Sequence, residues 1–411
     1  MLNTRARWPE YSELAGLFFL QAMAMGMWMV PLGRVLSAHG LAEIRAQAFT
    51  TSAVAALLSP LIFGAMADRH AAPVRVLRWL AASSAAGMAL ATLSISRGWA
   101  PSVVLILIQV YAVCAAPTAS IASTIVFARL RDSQRQFGPI RAVATIGWMC
   151  GCWVISAMGA DSSPLAGYSG AIAWLTLAFF TYLLPSVPPP PSLGGVTWRE
   201  RLGWDALALL RNPDHRVVFV TVALFSVPLA AFYPFAPQHL KQLGFDRTSA
   251  WMTLGQVTEV MAMITLAGLF ASLRLKWIFV AGLSVGALRY ALCALDARFW
   301  MLAGVTLHGL SFTLVFITAQ IYLNERVDRE WRARAQALMW LMSGGVGNLV
   351  GYLGSGFWLH ASTSGGATHW GQFWGGLAGV MVLVLCYFIW AYHGQGGGLR
   401  RKASTPGDPS A

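Results

Sequence analysis

Glu259 sits near the centre of an apolar stretch, WMTLGQVTEVMAMITLAGLF, residues 251–270. The chain has sixteen Asp and Glu, and almost all the others fall in loops or at the ends of apolar stretches. A carboxylate at bilayer depth is costly unless it is protonated, paired or watered, so its presence points to function. Gln256 lies three residues earlier, on the same face of a helix. An acid that takes and releases a proton beside an amide that bonds in two directions is chemistry suited to a polar solute. The plainer alternative is a neutral glutamic acid satisfied by a neighbouring helix. His308 lies in another apolar stretch and can titrate near neutrality. A lone histidine there is more often a hydrogen-bonded structural residue. Gln21 and Trp28, seven apart in the first stretch, fit a cavity wall or ordinary packing equally well.

The elements that must position these residues follow from composition. The chain is 57% hydrophobic and 11% charged, with a mean hydropathy of +0.59; soluble domains carry about 25% charge. This describes an integral membrane protein. At about 20 apolar residues per crossing, the chain reads as an all-α protein with 12 transmembrane helices. They lie at 13–36, 45–67, 76–96, 101–128, 138–158, 168–187, 216–240, 248–272, 275–295, 298–324, 332–358 and 370–393.

The net charge of +13 is distributed by side rather than gathered for nucleic acid. With the N-terminus inside, the inner segments carry 22 Lys and Arg and the outer segments 6, with Arg289 inside a span. That asymmetry predicts cytoplasmic termini, in agreement with an even number of spans. The first span is too long for a signal-peptide core, has no clear cleavage site, and is read as retained. The five cysteines all fall within spans, and Cys150 and Cys152 have no His or acidic neighbour to suggest metal. They are expected to be packing residues, with no cofactor. No nucleophile–base constellation or metal cluster suggests an enzyme.

A break at 188–215 opens PPPPSLGGV and continues TWRERLGWDALALLRN. It divides the spans into an N-terminal half, 1–187, and a C-terminal half, 216–393, followed by a polar cytoplasmic tail, 394–411. The break reads as a stiff exit and a short amphipathic helix on the inner surface. Two six-helix halves around a midplane site are a transporter architecture, the major facilitator fold. Gly64, Asp68 and Arg69, in GAMADRH after the second span, are spaced like that superfamily's conformational motif. Span seven contains Pro228, Pro234 and Pro237, which must interrupt its hydrogen-bond ladder; such breaks survive where they border protein or a watered cavity. The glycine-rich GGVGNLVGYLGSG, 344–356, permits close helix contact and is not a phosphate loop.

Several strings, in order, give the chain a family likeness. They are FLQAMAMGMWMVPLG (19–33), APTASIASTIVFARL (116–130), FGPIRAVATIGW (137–148), LGWDALALLRN (202–212), QVTE (256–259), LRYALCA (288–294) and RARAQALMWLMSGGVGN (332–348). Together they resemble the nucleoside:proton symporter family of the major facilitator superfamily, from residue 19 to about residue 356.

The resemblance implies a central nucleoside site and an inward-moving proton. In span five it points to Arg141, Thr145 and Trp148, which share one helical face and offer donors and a stacking ring. In span eight it points to Gln256 and Glu259, and in span ten to Phe312. Trp148 stands where the family commonly has Phe. Ala230 and Tyr233 stand where the family offers amides, and Thr313 where it has an Asp. Tyr233 can still supply a ring and a hydroxyl. A site losing hydrogen-bonding groups is expected to change its substrate range.

The resulting expectation is a monomeric secondary transporter of the inner (plasma) membrane. It would import nucleosides by proton symport through alternating access, with Glu259 as the proton carrier. The rivals are an uncoupled facilitator, a symporter of another small polar solute such as a modified nucleoside, and a transport-inactive membrane sensor.

Overall fold

In this computed structural model the described residues are 8–67, 72–130, 133–185, 204–265, 273–328 and 331–394 of 411. They fold almost wholly into helices. The first half contains α1 (Trp8–Met29), α2 (Leu32–Ala38), α3 (Arg45–Ala67), α4 (Pro73–Ser96), α5 (Pro101–Ala115), α6 (Thr118–Arg129), α7 (Ser133–Ala157) and α8 (Leu165–Phe180). The second contains α9 (Pro213–Ala230), α10 (Phe232–Gln242), α11 (Thr248–Met252), α12 (Leu254–Thr265), α13 (Leu275–Ala294) and α14 (Arg298–Phe312). It continues through α15 (Thr318–Arg326), α16 (Arg332–Trp340), α17 (Asn348–Ala361) and α18 (Trp370–Ala391). The one hairpin, β1 (Thr363–Ser364) with β2 (Ala367–Thr368), is antiparallel.

Eight helical segments among the described residues are long and apolar enough to cross a membrane. Their outward faces carry bare hydrophobic side chains, Phe299, Leu383 and Trp390 among the most exposed. Inside, the buried apolar side chains form two clusters. One draws almost entirely on residues 14–184, the other on 206–392 with Val30 and Cys152.

Sequence punctuation explains where helices start and bend. Prolines stand in the first turns of α4, α5 and α9, where their missing N–H costs no bond. The Asn212 side chain caps α9 by accepting from the N–H groups of Asp214 and His215. The expected amphipathic helix in the linker is, over its described part, a tighter 3-10 stretch at Trp204–Arg211. It cannot run on because Asn212 is extended and Pro213 opens the next helix. Pro117 lies in the interruption between α5 and α6, just before α6 begins. The prolines of span seven break it at Ala231, between α9 and α10. The backbone there is not orphaned, because the Tyr290 hydroxyl donates to the Pro228 carbonyl at 2.7 Å.

Small residues let the site-bearing helices touch. A methyl group on Gly26 would lie 2.6 Å from the Trp148 carbonyl, and one on Gly147 would strike the Phe19 carbonyl. These contacts seat α7 on α1. One on Gly309 would strike the backbone of Gly255 and Glu259, so α14 and α12 meet backbone to backbone. In the glycine-rich segment, a methyl on Gly347 would lie 2.6 Å from the Ala223 carbonyl, as close contact requires.

Candidate functional site

Three helical faces converge where the two clusters meet. From the first half, α7 brings Arg141, Thr145 and Trp148. Arg141 is exposed, Thr145 buried and Trp148 partly buried. From the second half, α10 brings Tyr233, and its ring lies 5.7 Å from that of Trp148, tilted by 54°. The Gln256 amide of α12 donates to the Tyr233 hydroxyl at 3.1 Å. One turn further along α12 is Glu259, partly buried and within electrostatic reach of Arg141 across the two halves.

The α14 helix supplies the remaining wall. Phe312 ends it, and a π-helical turn, Thr313–Ile317, follows. Such turns re-aim side chains and recur at functional sites. Phe312 stacks toward Phe316, whose ring lies parallel to that of Trp340 at 5.9 Å. A second π-helical turn, Leu341–Gly347, follows Trp340. Two polar atoms of this region lack partners among the described residues: Trp148 Nε1 and Thr313 Oγ1. Buried donors without partners are rare enough to need a reason, and a polar solute would give one. The arrangement offers rings for stacking, an amide and hydroxyls for recognition, and one carboxyl for a proton.

The structure thus brings Trp148, Tyr233, Gln256, Phe312 and Thr313 to one region, with Arg141, Thr145 and Glu259 on the helix faces that border it. Ala230, at a position where the family offers an amide, packs against Gly351 instead. Gly64 belongs to α3, while Asp68 and Arg69 lie outside the described residues. Gln21 and Trp28 prove to be packing residues: Gln21 donates to Thr118 at 3.3 Å, and Trp28 is buried with its ring edge to Tyr111. Arg289 is buried and donates to His308, with no carboxylate partner among the described residues.

Sequence reasoning missed a second polar cluster. Arg34 and Arg45 read as loop charges, yet both are buried. Arg34 donates to the Thr248 hydroxyl at 3.0 Å and the Asp246 carbonyl at 3.2 Å. The buried Asp161 carboxylate, from the loop between α7 and α8, accepts from the Ser249 N–H at 2.6 Å and from Ser156 at 3.1 Å. Ser156 in turn accepts from the Ala250 N–H, and Trp153 donates to Thr253. The first half thereby caps the start of α11 in the second and latches the halves at that end. A Ser-x-x-x-x-Asp spacing at the end of one span and Thr-Ser at the start of another carried too little pattern to reveal this pairing.

Two apolar clusters, a broken helix α9–α10 in the second, and candidate site residues where the clusters meet fit a secondary transporter of the major facilitator fold. Comparison agrees. The crystal structure of a mutant of the nucleoside transporter NupG superposes with a TM-score of 0.85, at 24% identity, over 93% of this chain and all of that one. The POT family transporter PepTSo superposes at 0.73 with 13% identity, over 93% of this chain and 98% of that one. In sequence, YegT of Escherichia coli (strain K12), which carries a provisional nucleoside-transporter name, is 33% identical over 83% of this chain and 82% of its own. The nucleoside permease NupG of the same organism is 25% identical over 92% of this chain and 94% of its own. Its xanthosine permease is 23% identical over 96% and 99%. The nucleoside H+ symporter family profile matches residues 11–395, and the chain belongs to that family. It is a multi-pass transporter of the inner (plasma) membrane.

Proposed function

We propose that this chain imports a nucleoside with a proton by alternating access, through the site between α7 and α10–α12–α14. Its helices form twelve spans in two halves, 1–187 and 216–393, joined by 188–215, with both termini cytoplasmic. The base stacks on Trp148 and bonds to Gln256, Tyr233 and Thr313, and Arg141 and Thr145 approach from the first half. The observation that carries this reading is the contact of Trp148 with the Tyr233–Gln256 pair, which joins one wall from each half.

Glu259 is the proton carrier. When ionised it attracts Arg141 across the interface; when protonated it releases that cation and can bond to substrate as a neutral acid. Burial away from water favours the neutral form of a carboxyl in general, which is what a proton carrier requires. The latch at Arg34 and Asp161 corresponds to the state closed on the outside, and opening that end requires exchanging those bonds for water.

The test is uptake of labelled uridine by cells expressing the chain at acidic external pH. Concentrative uptake should be abolished by a protonophore, and Glu259→Gln should leave only downhill exchange. Full accumulation by that variant would remove Glu259 from coupling. One observation favours a second reading, uncoupled facilitation: Thr313 stands where the family has a carboxylate, leaving fewer acids near the site. Uptake unaffected by the protonophore would select it.

A further inference from the structure

Arg289 and His308 are buried to 1% and 4% exposure, and the transport cycle above leaves both unused. Arg289 projects from α13 with its guanidinium 4.5 Å from the ring centroids of both Phe232 and Tyr290. Its Nη1 lies 2.6 Å from His308 Nδ1, while Nε and Nη2 have no partner. A guanidinium has donors only. His308 Nδ1 must therefore accept, and the single proton of the neutral ring must sit on Nε2.

The ring is held firmly. It stacks on Phe232 at 4.2 Å and 13°, meets Tyr233 edge-on at 6.1 Å, and faces Phe312 one turn along α14. Its Cδ2, bonded to Nε2, lies 3.1 Å from where a methyl on Gly255 would be. The Cβ–Cδ2 flank of the ring thus packs on the helix that carries Gln256. Nε2 has no hydrogen-bond partner among the described residues, although Nδ1 is fully engaged.

We propose that His308, fixed as its Nε2–H tautomer by Arg289, is a specificity-determining donor to the bound nucleoside, and that Arg289 is its positioning residue. The proposal rests on the nucleoside site described above. A neutral imidazole N–H donates to one oxygen, a ribose hydroxyl or a base carbonyl. It supplies from α14 a hydrogen bond that Ala230 cannot supply from α9. A site whose donor is left unpaired rejects an analogue lacking the matching oxygen.

The experiment is equilibrium binding to the purified, lipid-reconstituted protein. The ligands are uridine and five analogues that each lack or replace one oxygen: 2′-, 3′- and 5′-deoxyuridine, the pyrimidin-2-one riboside and 2-thiouridine. His308→Phe keeps a ring of similar shape without the donor. It should weaken uridine about tenfold, and for one analogue it should cost nothing further, since that analogue has already lost the bond. His308→Gln, whose carbonyl can accept from Arg289 while its amide donates, should restore the unmodified pattern. Arg289→Leu should weaken uridine and spare the same analogue. If His308→Phe does not fold, His308→Asn, too short to reach, replaces it. Equal loss for uridine and every analogue, or no loss, would overturn the proposal while leaving the nucleoside site standing. Failure of the unmodified protein to bind any of the six would overturn both.

Discussion

In the proposed mechanism Trp148 and Glu259 divide the work of the site between a surface that recognises and a group that couples. Glycines at 26 and 147 bring α7 close against α1, and the Trp148 ring lies against that of Tyr233. Stacking on an aromatic ring is worth about 1–3 kcal/mol per base. Trp148→Ala should therefore weaken nucleoside binding about tenfold or more, while Trp148→Phe should hold most of the affinity; titration of uridine binding to the two variants checks this. Glu259→Gln should bind uridine but lose the acid stimulation of uptake, because an amide at that position cannot carry a proton; counterflow at two external pH values reads the difference. Glu259 stands out in the sequence because a carboxylate in an apolar span is costly. The engagement of His308 with Arg289 does not, since nothing in a sequence without an alignment says that residues nineteen apart on two helices face one another.

The elements that matter are the interrupted ones. Span seven announced its break through three prolines, and the helix does part at Ala231, placing Phe232 and Tyr233 at the junction. The π-helical turns after Phe312 and Trp340 left no comparable mark, since neither contains a proline. Close packing makes its own demand. Gly309→Leu would force a side chain into the backbone of α12 at Glu259. Overpacking typically costs about 1–3 kcal/mol, so this variant should lose folded yield and melt earlier in a thermal-shift measurement. Gly344→Ala, where nothing lies within 4 Å, should be tolerated. The latch at Arg34 and Asp161 gives a different prediction. Asp161→Ala leaves the Ser249 N–H without its acceptor, and the closed state should lose population. Labelling of Ser249→Cys by a membrane-impermeant maleimide should rise severalfold in that background; unchanged labelling would show that the latch does not hold the halves together.

For the whole molecule, the two buried clusters and the latch between them suit the proposed rocking about a central site. Hydropathy marked an all-helical membrane protein because lipid allows only internally bonded backbone, and eight helical segments among the described residues are long and apolar enough to cross. The sidedness of the Lys and Arg also anticipated an orientation, which tags at each terminus, protected from external protease in intact cells, would verify. The burial of Arg34 and Arg45 escaped that reasoning, since a charge count treats every loop cation as solvated. The most direct measurement is uridine accumulation at acidic external pH in cells expressing the chain, with and without protonophore, beside Glu259→Gln. The expected result is accumulation above the external concentration that collapses with the protonophore and is absent in the variant. Accumulation that persists in Glu259→Gln, or uptake that ignores the protonophore, would contradict proton coupling through this carboxyl.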